Sequence, residues 1–164
     1  MVIVIGIDPG VALTGFGLLR EAPDGRLEAL AHGVIETPKA QPLARRLQLL
    51  QQQLQALITT WQPQEAAVEE VFFATNAKTA LSVGQARGVV LLTLFNAGIA
   101  IHEYTPLQVK QAIAGYGQAD KRQMQTMIKA LLGLAELPRP DDAADALAVA
   151  LTHLHSRRWA QLSA

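Results

Sequence analysis

The chain has 164 residues, of which 50% are hydrophobic and 17% charged, and it contains no cysteine. Its 14 basic and 14 acidic residues cancel, so it is not a nucleic-acid-binding protein of the strongly basic kind. The absence of cysteine excludes disulfides and cysteine-based zinc sites. The longest apolar run is too short for a membrane span of about 20 residues. We expect one domain, spanning residues 1–164, in the reducing cytoplasm.

The first third of the sequence predicts three strands. Residues 2–8 form an almost continuous β-branched run that ends at an Asp-Pro-Gly turn, which is typical of a strand buried on both faces. Residues 14–20 and 26–36 are separated by Pro23-Asp24-Gly25, a hairpin turn sequence. Together these segments predict a three-stranded antiparallel meander.

The rest of the chain alternates helices and short strands. Apolar residues recur at helical spacing over 42–61, and a long helix over 76–96 lies between strands at 66–70 and 99–104. Three further helices are predicted, at 105–114, 121–132 and 141–156. The predicted fold is α/β, with a mixed five-stranded sheet flanked by helices on both faces, in which the strands at 66–70 and 99–104 are parallel.

Acidic residues stand at the margins of three apolar elements. Asp8 closes the first strand, Glu69 and Glu70 close the strand at 66–70, and Asp142 and Asp145 lie one helical turn apart near the start of the last helix. Each acid also has a purely structural explanation. Asp8 could be a turn residue, the two glutamates could mark an exposed strand end, and Asp141 or Asp142 could be the N-cap of the last helix. Asp145 is harder to explain in this way, because alanines and other apolar residues flank it in the sequence.

Three acidic sites on separate elements favour a divalent-metal site over three independent accidents. Carboxylate oxygens prefer Mg²⁺ or Mn²⁺, and such clusters can hold two ions roughly 3.5–4 Å apart for phosphoryl displacement. If metal covered four of the acids, the 14 basic residues would outnumber the other acids and leave a cationic surface.

Four segments, in order along the chain, resemble the RuvC family of bacterial Holliday-junction resolvases. They are IGIDPGVALTGFG at 5–17, VEEVFFATNAKTALSVGQARGV at 68–89, EYTPLQVKQAIAGYG at 103–117 and DDAADALAVALTHLH at 141–155. The resemblance implies a ribonuclease-H-like fold and a homodimeric endonuclease. Such an enzyme uses Mg²⁺ or Mn²⁺ to nick two opposed strands of a four-way DNA junction, leaving 5′-phosphate and 3′-hydroxyl ends.

The resemblance also assigns residues. Its four catalytic and metal-binding acids fall on Asp8, Glu69, Asp142 and Asp145, with two ions expected per site and Asp141 as the rival of Asp142. Contacts to DNA are implied for residues that match basic, aromatic or polar positions of the family. These are Lys110, Lys121, Arg122, Phe72, Phe73, Asn76 and Arg87. The alternative for Asn76 and Arg87 is the dimer helix, and the alternative for Arg122 is a solvated helix face. Phe72 is expected to stack on unpaired bases, with Phe73 as the alternative.

The helix at 76–96 is apolar around much of its circumference, which favours contact with a second copy of the chain. Branch-migration proteins of the RuvA and RuvB type are expected partners. The four histidines are interpreted as ordinary residues. The sequence has three alternative interpretations. A phosphate-binding turn like that of actin-like ATPases would need a second domain to close over nucleotide, and a junction-binding module without catalysis would need an incomplete set of acids. A nuclease of the same fold acting on another branched or hybrid substrate is opposed only by the motifs around 72–89 and 110–121.

Overall fold

The computed structural model describes residues 1–70 and 77–163. Five strands form one mixed sheet in the order β3-β2-β1-β4-β5. They are β1 (Val2–Asp8), β2 (Leu13–Glu21), β3 (Leu27–Glu36), β4 (Glu65–Glu69) and β5 (Ala100–Tyr104). The helices are α1 (Leu43–Trp61), α2 (Ala77–Asn96), α3 (Pro106–Ala114), α4 (Lys121–Leu132) and α5 (Asp141–Leu162).

The strand pairing confirms the predicted topology. β1, β2 and β3 form an antiparallel meander, and β4 and β5 add to it in parallel with β1. The β2–β3 turn has Gly25 at φ 82°, and the Asp24 side chain accepts a hydrogen bond from the Arg26 N–H at 3.0 Å. The predicted turn sequence therefore closes the hairpin.

The central strands are buried on both faces, which explains why β1 lacks a polar alternation. Val4 of β1 and Ala67 of β4 face one core, shared with α3, α4 and α5. Ile5 and Ile7 of β1 face a second core, shared with α1 and α2. The predicted arrangement of helices on both faces of the sheet is confirmed.

Glycines let α5 approach the sheet. A Cβ atom on Gly6 would lie 2.0 Å from the Ala146 carbonyl oxygen, and one on Gly15 would lie 1.9 Å from the Asp142 carbonyl oxygen. No side chain fits at those distances. The first turns of α5 therefore pack directly against the backbone of β1 and β2.

Two predictions about α5 were wrong. The helix extends to Leu162, beyond the predicted end at residue 156, and neither Asp141 nor Asp142 caps it, because the N-cap is Pro140. The added turns are held by Arg157 and Arg158, which form ion pairs with Glu21 at the end of β2. These pairs join residues distant in sequence, so the local pattern did not contain them.

None of the described helices has the length and apolar character that a membrane crossing requires.

Candidate active site

The carboxyl ends of β1 and β4 bring two acidic residues together. Asp8 is the last residue of β1 and Glu69 the last of β4, and these strands are parallel neighbours. Strand alternation puts Asp8 on the same face as Gly6, which packs against α5. Glu69 likewise shares the face of Ala67, in the core under α5. One of the two glutamates at this strand end faces inward, as predicted.

The first turn of α5 completes the cluster. Asp142 and Asp145 lie one helical turn apart, and each of Asp8, Asp142 and Asp145 has a carboxylate oxygen within 4.8 Å of those of the other two. The side chains of Asp8 and Glu69 are hydrogen-bonded to each other. The four predicted acids therefore converge in one place.

Asp141 is directed away from this cluster, toward α4. Its carboxylate accepts hydrogen bonds from Lys121 Nζ at 3.3 Å and Gln125 Nε2 at 2.9 Å. Among the described residues, the group of three aspartates with converging oxygens contains Asp142 and not Asp141.

Burial and mutual repulsion raise the pKa values of these acids. Burial, followed by repulsion from Glu69, Asp145 and Asp142, raises the pKa of Asp8 to about 9. Burial and repulsion from Asp145 raise the pKa of Glu69 to about 7, against the opposing effects of its hydrogen bond with Asp8 and of Lys110. Burial also raises the pKa of Asp145. Without cations, the cluster therefore retains protons at neutral pH.

A cleft of about 330 Å³ opens beside the acids. Glu69 and Asp145 line it together with Lys110 of α3 and Lys121 of α4. The side chain of Lys121 is 75% exposed, and its hydrogen bond with Asp141 is the main cause that raises its pKa. Arg122 is exposed next to it. The cleft therefore offers carboxylates and ammonium groups to one ligand.

Arg87 of α2 makes contacts inside the chain. Its Nη1 donates to the Glu69 carbonyl oxygen at 2.6 Å, and its Nη2 forms an ion pair with Glu103 at 2.5 Å. These contacts tie α2 to the end of β4. Phe72, Phe73 and Asn76 lie outside the described residues.

Two buried threonines that the sequence analysis missed hold the turn after Asp8. The Thr14 hydroxyl donates to the Gly10 carbonyl at 2.6 Å. The Thr37 hydroxyl donates to the Val11 carbonyl at 2.6 Å and accepts from Arg46 Nε at 3.0 Å. Thr14 bonds within the turn itself, to a residue four positions before it. The partners of Thr37 lie 26 residues before it and nine residues after it, in α1, so no motif of the sequence marks that contact. The contacts of both threonines fix the backbone that follows Asp8.

The sequence predicts each histidine to be an ordinary isolated residue, but His102 and His153 lie together beside Glu65. This group lies on β4, β5 and α5, away from the acidic cluster. Histidines 51 residues apart show no spacing that predicts such a contact.

Comparisons with known proteins agree with this geometry. The family profile described as "Crossover junction endodeoxyribonuclease RuvC" matches residues 4–153. A protein of that name from Syntrophomonas wolfei is 54% identical over 155 residues, covering 94% of this chain and 90% of the relative. Another, from Heliobacterium modesticaldum, is 53% identical over 157 residues, covering 96% of each.

A solved structure is similar over nearly the whole chain. The structure described as "T. thermophilus RuvC in complex with Holliday junction substrate" superposes with a TM-score of 0.92 and is 38% identical. The match covers 98% of this chain and 97% of that one. The ribonuclease-H-like fold expected from the sequence is thereby confirmed.

Proposed function

This chain belongs to the RuvC family of crossover junction endodeoxyribonucleases, which are metal-dependent hydrolases, and we propose that its acidic cleft cuts four-way DNA junctions. The reaction is the symmetric nicking of two opposed strands, leaving 5′-phosphate and 3′-hydroxyl ends that a ligase can seal. The observation that carries this proposal is the convergence of Asp8, Glu69, Asp142 and Asp145 where the carboxyl ends of β1 and β4 meet the first turn of α5.

The four carboxylates are the proposed ligands of Mg²⁺ or Mn²⁺, with two ions per site. The donor set fits, because it consists of hard oxygens. The raised pKa values of Asp8 and Glu69 also fit, since crowded, buried carboxylates ionise readily only when cations neutralise them. When bound, the ions would lower the pKa of an attacking water and stabilise charge on the leaving oxygen.

The lysines of the cleft would hold the scissile phosphodiester. Lys110 lines the same cavity as Glu69, and Lys121, whose side chain is exposed, lines it together with Asp145. Ammonium groups so placed attract phosphate oxygens and stabilise the negative charge that develops during hydrolysis. Arg122, exposed beside Lys121, would add a contact to the backbone of the same strand.

We propose that residues after the end of β4 contact the bases of the DNA junction. Phe72 would stack on an unpaired base at the crossover, with Phe73 as the alternative, and Asn76 would contact the DNA close by. For Arg87, a role in positioning Glu69 is favoured by its hydrogen bond to the Glu69 carbonyl. Contact with DNA or with a second subunit remains the other proposal for Arg87.

A homodimer would present two such clefts to two strands of the junction. The exposed face of α2 carries three large apolar side chains, Leu81, Leu92 and Phe95, which are 66%, 61% and 74% exposed. Between them lie Gly84 and Gly88, where an added Cβ would meet nothing within 4 Å. This stripe follows helical spacing and offers a flat apolar surface to a second copy of the chain.

The cellular setting follows from the same activity. We propose that the chain acts as one nuclease domain on DNA in the cytoplasm, where a protein without cysteine needs no oxidising environment. Branch-migration proteins of the RuvA and RuvB type are the proposed partners.

The test is cleavage of a mobile synthetic four-way junction by Asp142→Asn and Asp145→Asn variants, with linear duplex and an RNA–DNA hybrid as competing substrates. Each variant should bind the junction and lose Mg²⁺-dependent cutting, because an amide replaces an anionic ligand. Asp24→Asn, in the exposed β2–β3 turn, is the matched control and should cut normally.

Mg²⁺-dependent cutting retained in both variants would refute the proposed site. Preference of the unmodified chain for the hybrid would favour a nuclease with another substrate. Tight junction binding without cleavage, with either Mg²⁺ or Mn²⁺, would favour a binding module.

A further inference from the structure

A second group of metal-ligating side chains lies outside the acidic cleft. It consists of Glu65 at the start of β4, His102 in the middle of β5, and His153 of α5. Each has one ligand atom within 4.8 Å of those of the other two. Three separate elements therefore direct nitrogen and oxygen donors to one point.

The contacts around His153 orient its ring. His153 is buried, with 2% of its surface exposed, and its Nδ1 lies 2.8 Å from the Tyr104 hydroxyl. Its Nε2 lies 2.5 Å from Glu65 Oε2 and is therefore directed at the carboxylate. A hydrogen bond on one ring nitrogen that fixes the direction of the other is the usual support of a metal-binding histidine.

The other two donors are also arranged for a ligand. The His102 ring stacks on His153, with centroids 4.2 Å apart, and is exposed, so the group is open to solvent on that side. Arg157 Nε donates to Glu65 Oε2 at 3.0 Å. Carboxylates that bind metals are commonly held by such a hydrogen bond. Arg157 is in turn paired with Glu21, so its charge is shared between two acids.

We propose that Glu65, His102 and His153 bind one Zn²⁺ ion, with water from the exposed side as the fourth ligand. Two imidazoles and one carboxylate form a three-ligand set that Zn²⁺ accepts in tetrahedral sites with one open position. The mixed nitrogen and oxygen donors separate this site from the all-carboxylate cluster, which suits Mg²⁺ or Mn²⁺.

The two sites are distinct in space. His153 follows Asp145 by eight residues of one helix, which corresponds to about 12 Å along the axis. Glu65 and Glu69 stand at opposite ends of β4. An ion at the second site would join β4, β5 and α5, and would stabilise the native state because it binds only when these elements are assembled.

The experiment titrates Zn²⁺ into the full chain carrying Asp8→Asn and Asp145→Asn, which weaken the acidic site. Calorimetry should give one Zn²⁺ per chain. At a hundredfold excess of free Zn²⁺ over the dissociation constant, thermal unfolding should shift upward by roughly 5–10 °C. Co²⁺ in place of Zn²⁺ should give the visible absorption of a four-coordinate ion with nitrogen ligands.

His102→Ala in the same background should raise the Zn²⁺ dissociation constant about tenfold or more. Because His102 is exposed, this variant should still fold. His32→Ala, which removes an exposed histidine of β3 outside the group, is the matched control and should bind as before. The absence of saturable binding would overturn the proposal, and so would equal affinities in the His102→Ala and His32→Ala variants.

Discussion

Gly15 determines how closely the metal-binding end of α5 approaches the sheet. It pairs with Asp8 in the register between β1 and β2, and a Cβ atom there would lie 1.9 Å from the Asp142 carbonyl oxygen and 2.5 Å from its carbonyl carbon. The obstacle is backbone on both sides, so no side-chain rotation relieves it. Gly15→Ala must displace the first turn of α5 by at least about 1 Å.

The displacement has two consequences of different size. Overpacking of this kind costs about 1–3 kcal/mol of folding free energy, which most domains survive. A misplacement of about 1 Å in a catalytic group can reduce the rate about a hundredfold. Because Asp142 moves with the helix turn while Asp8 stays on β1, Gly15→Ala should lose much more activity than stability.

The assay compares Mg²⁺-dependent cleavage of a labelled four-way junction with urea unfolding of the same preparation. Gly33→Ala is the control, because a Cβ there meets only the edge of the Phe16 ring at 3.2 Å and needs a shift of a few tenths of an ångström. The Gly33→Ala variant should cleave the junction at a rate within a few-fold of that of the unmodified chain. If Gly15→Ala folds and cleaves as fast as Gly33→Ala, the close approach of α5 does not set the geometry of the site.

Four further predictions test other parts of the structure. Lys121→Ala should slow cleavage and reduce the salt slope of junction binding by about 1, and an unchanged slope would show that this ammonium does not contact phosphate. In EDTA, stability measured by urea unfolding should fall as pH rises from about 4 to about 9. The reason is that the folded state keeps a proton on Asp8, whose pKa is raised to about 9 from 3.8, while the unfolded state releases it. Asp8→Asn should flatten this profile, and an equally steep decline in that variant would contradict the raised pKa. Thr37→Val should lower the free energy of unfolding by about 1–3 kcal/mol, because the backbone carbonyl after β1 and a guanidinium lose their partner, whereas Thr37→Ser should restore it. Phe95→Glu should convert a dimer to a monomer in sedimentation experiments, while Trp159→Glu, at another exposed apolar residue, should leave the assembly intact.

The elements of the fold were accessible from the sequence because they depend on local chemistry. The continuous apolar run of β1, the Pro-Asp-Gly turn and the helical spacing of α1 each predict one structure within a short window. Parallel pairing of β4 and β5 followed from the helix between them. The end of α5 did not follow, since its last turns depend on ion pairs with Glu21, which lies more than 130 residues away.

The candidate acids were also visible in the sequence, because carboxylates at the ends of apolar elements are costly unless a cation or a proton balances them. Asp8, the pair of Glu69 and Glu70, and Asp145 stood out for that reason, and the family resemblance selected Glu69 from the pair. The choice between Asp141 and Asp142 did not, since adjacent residues differ by about 100° around a helix and only the packed orientation of α5 selects one. The structure directs Asp141 to Lys121 and Asp142 to Asp8.

The strands, most helix limits and the acidic character of the site could be predicted without coordinates, because they depend on residues that are close together in the chain. Which side chains come into contact depends instead on how the elements pack in three dimensions. The contact of Thr37 with the turn after Asp8, the contact of Arg87 with Glu69, and the group of Glu65, His102 and His153 join residues from different elements. Their distances depend on the packing of α2 and α5 against the sheet, and a linear spacing contains no information about that packing.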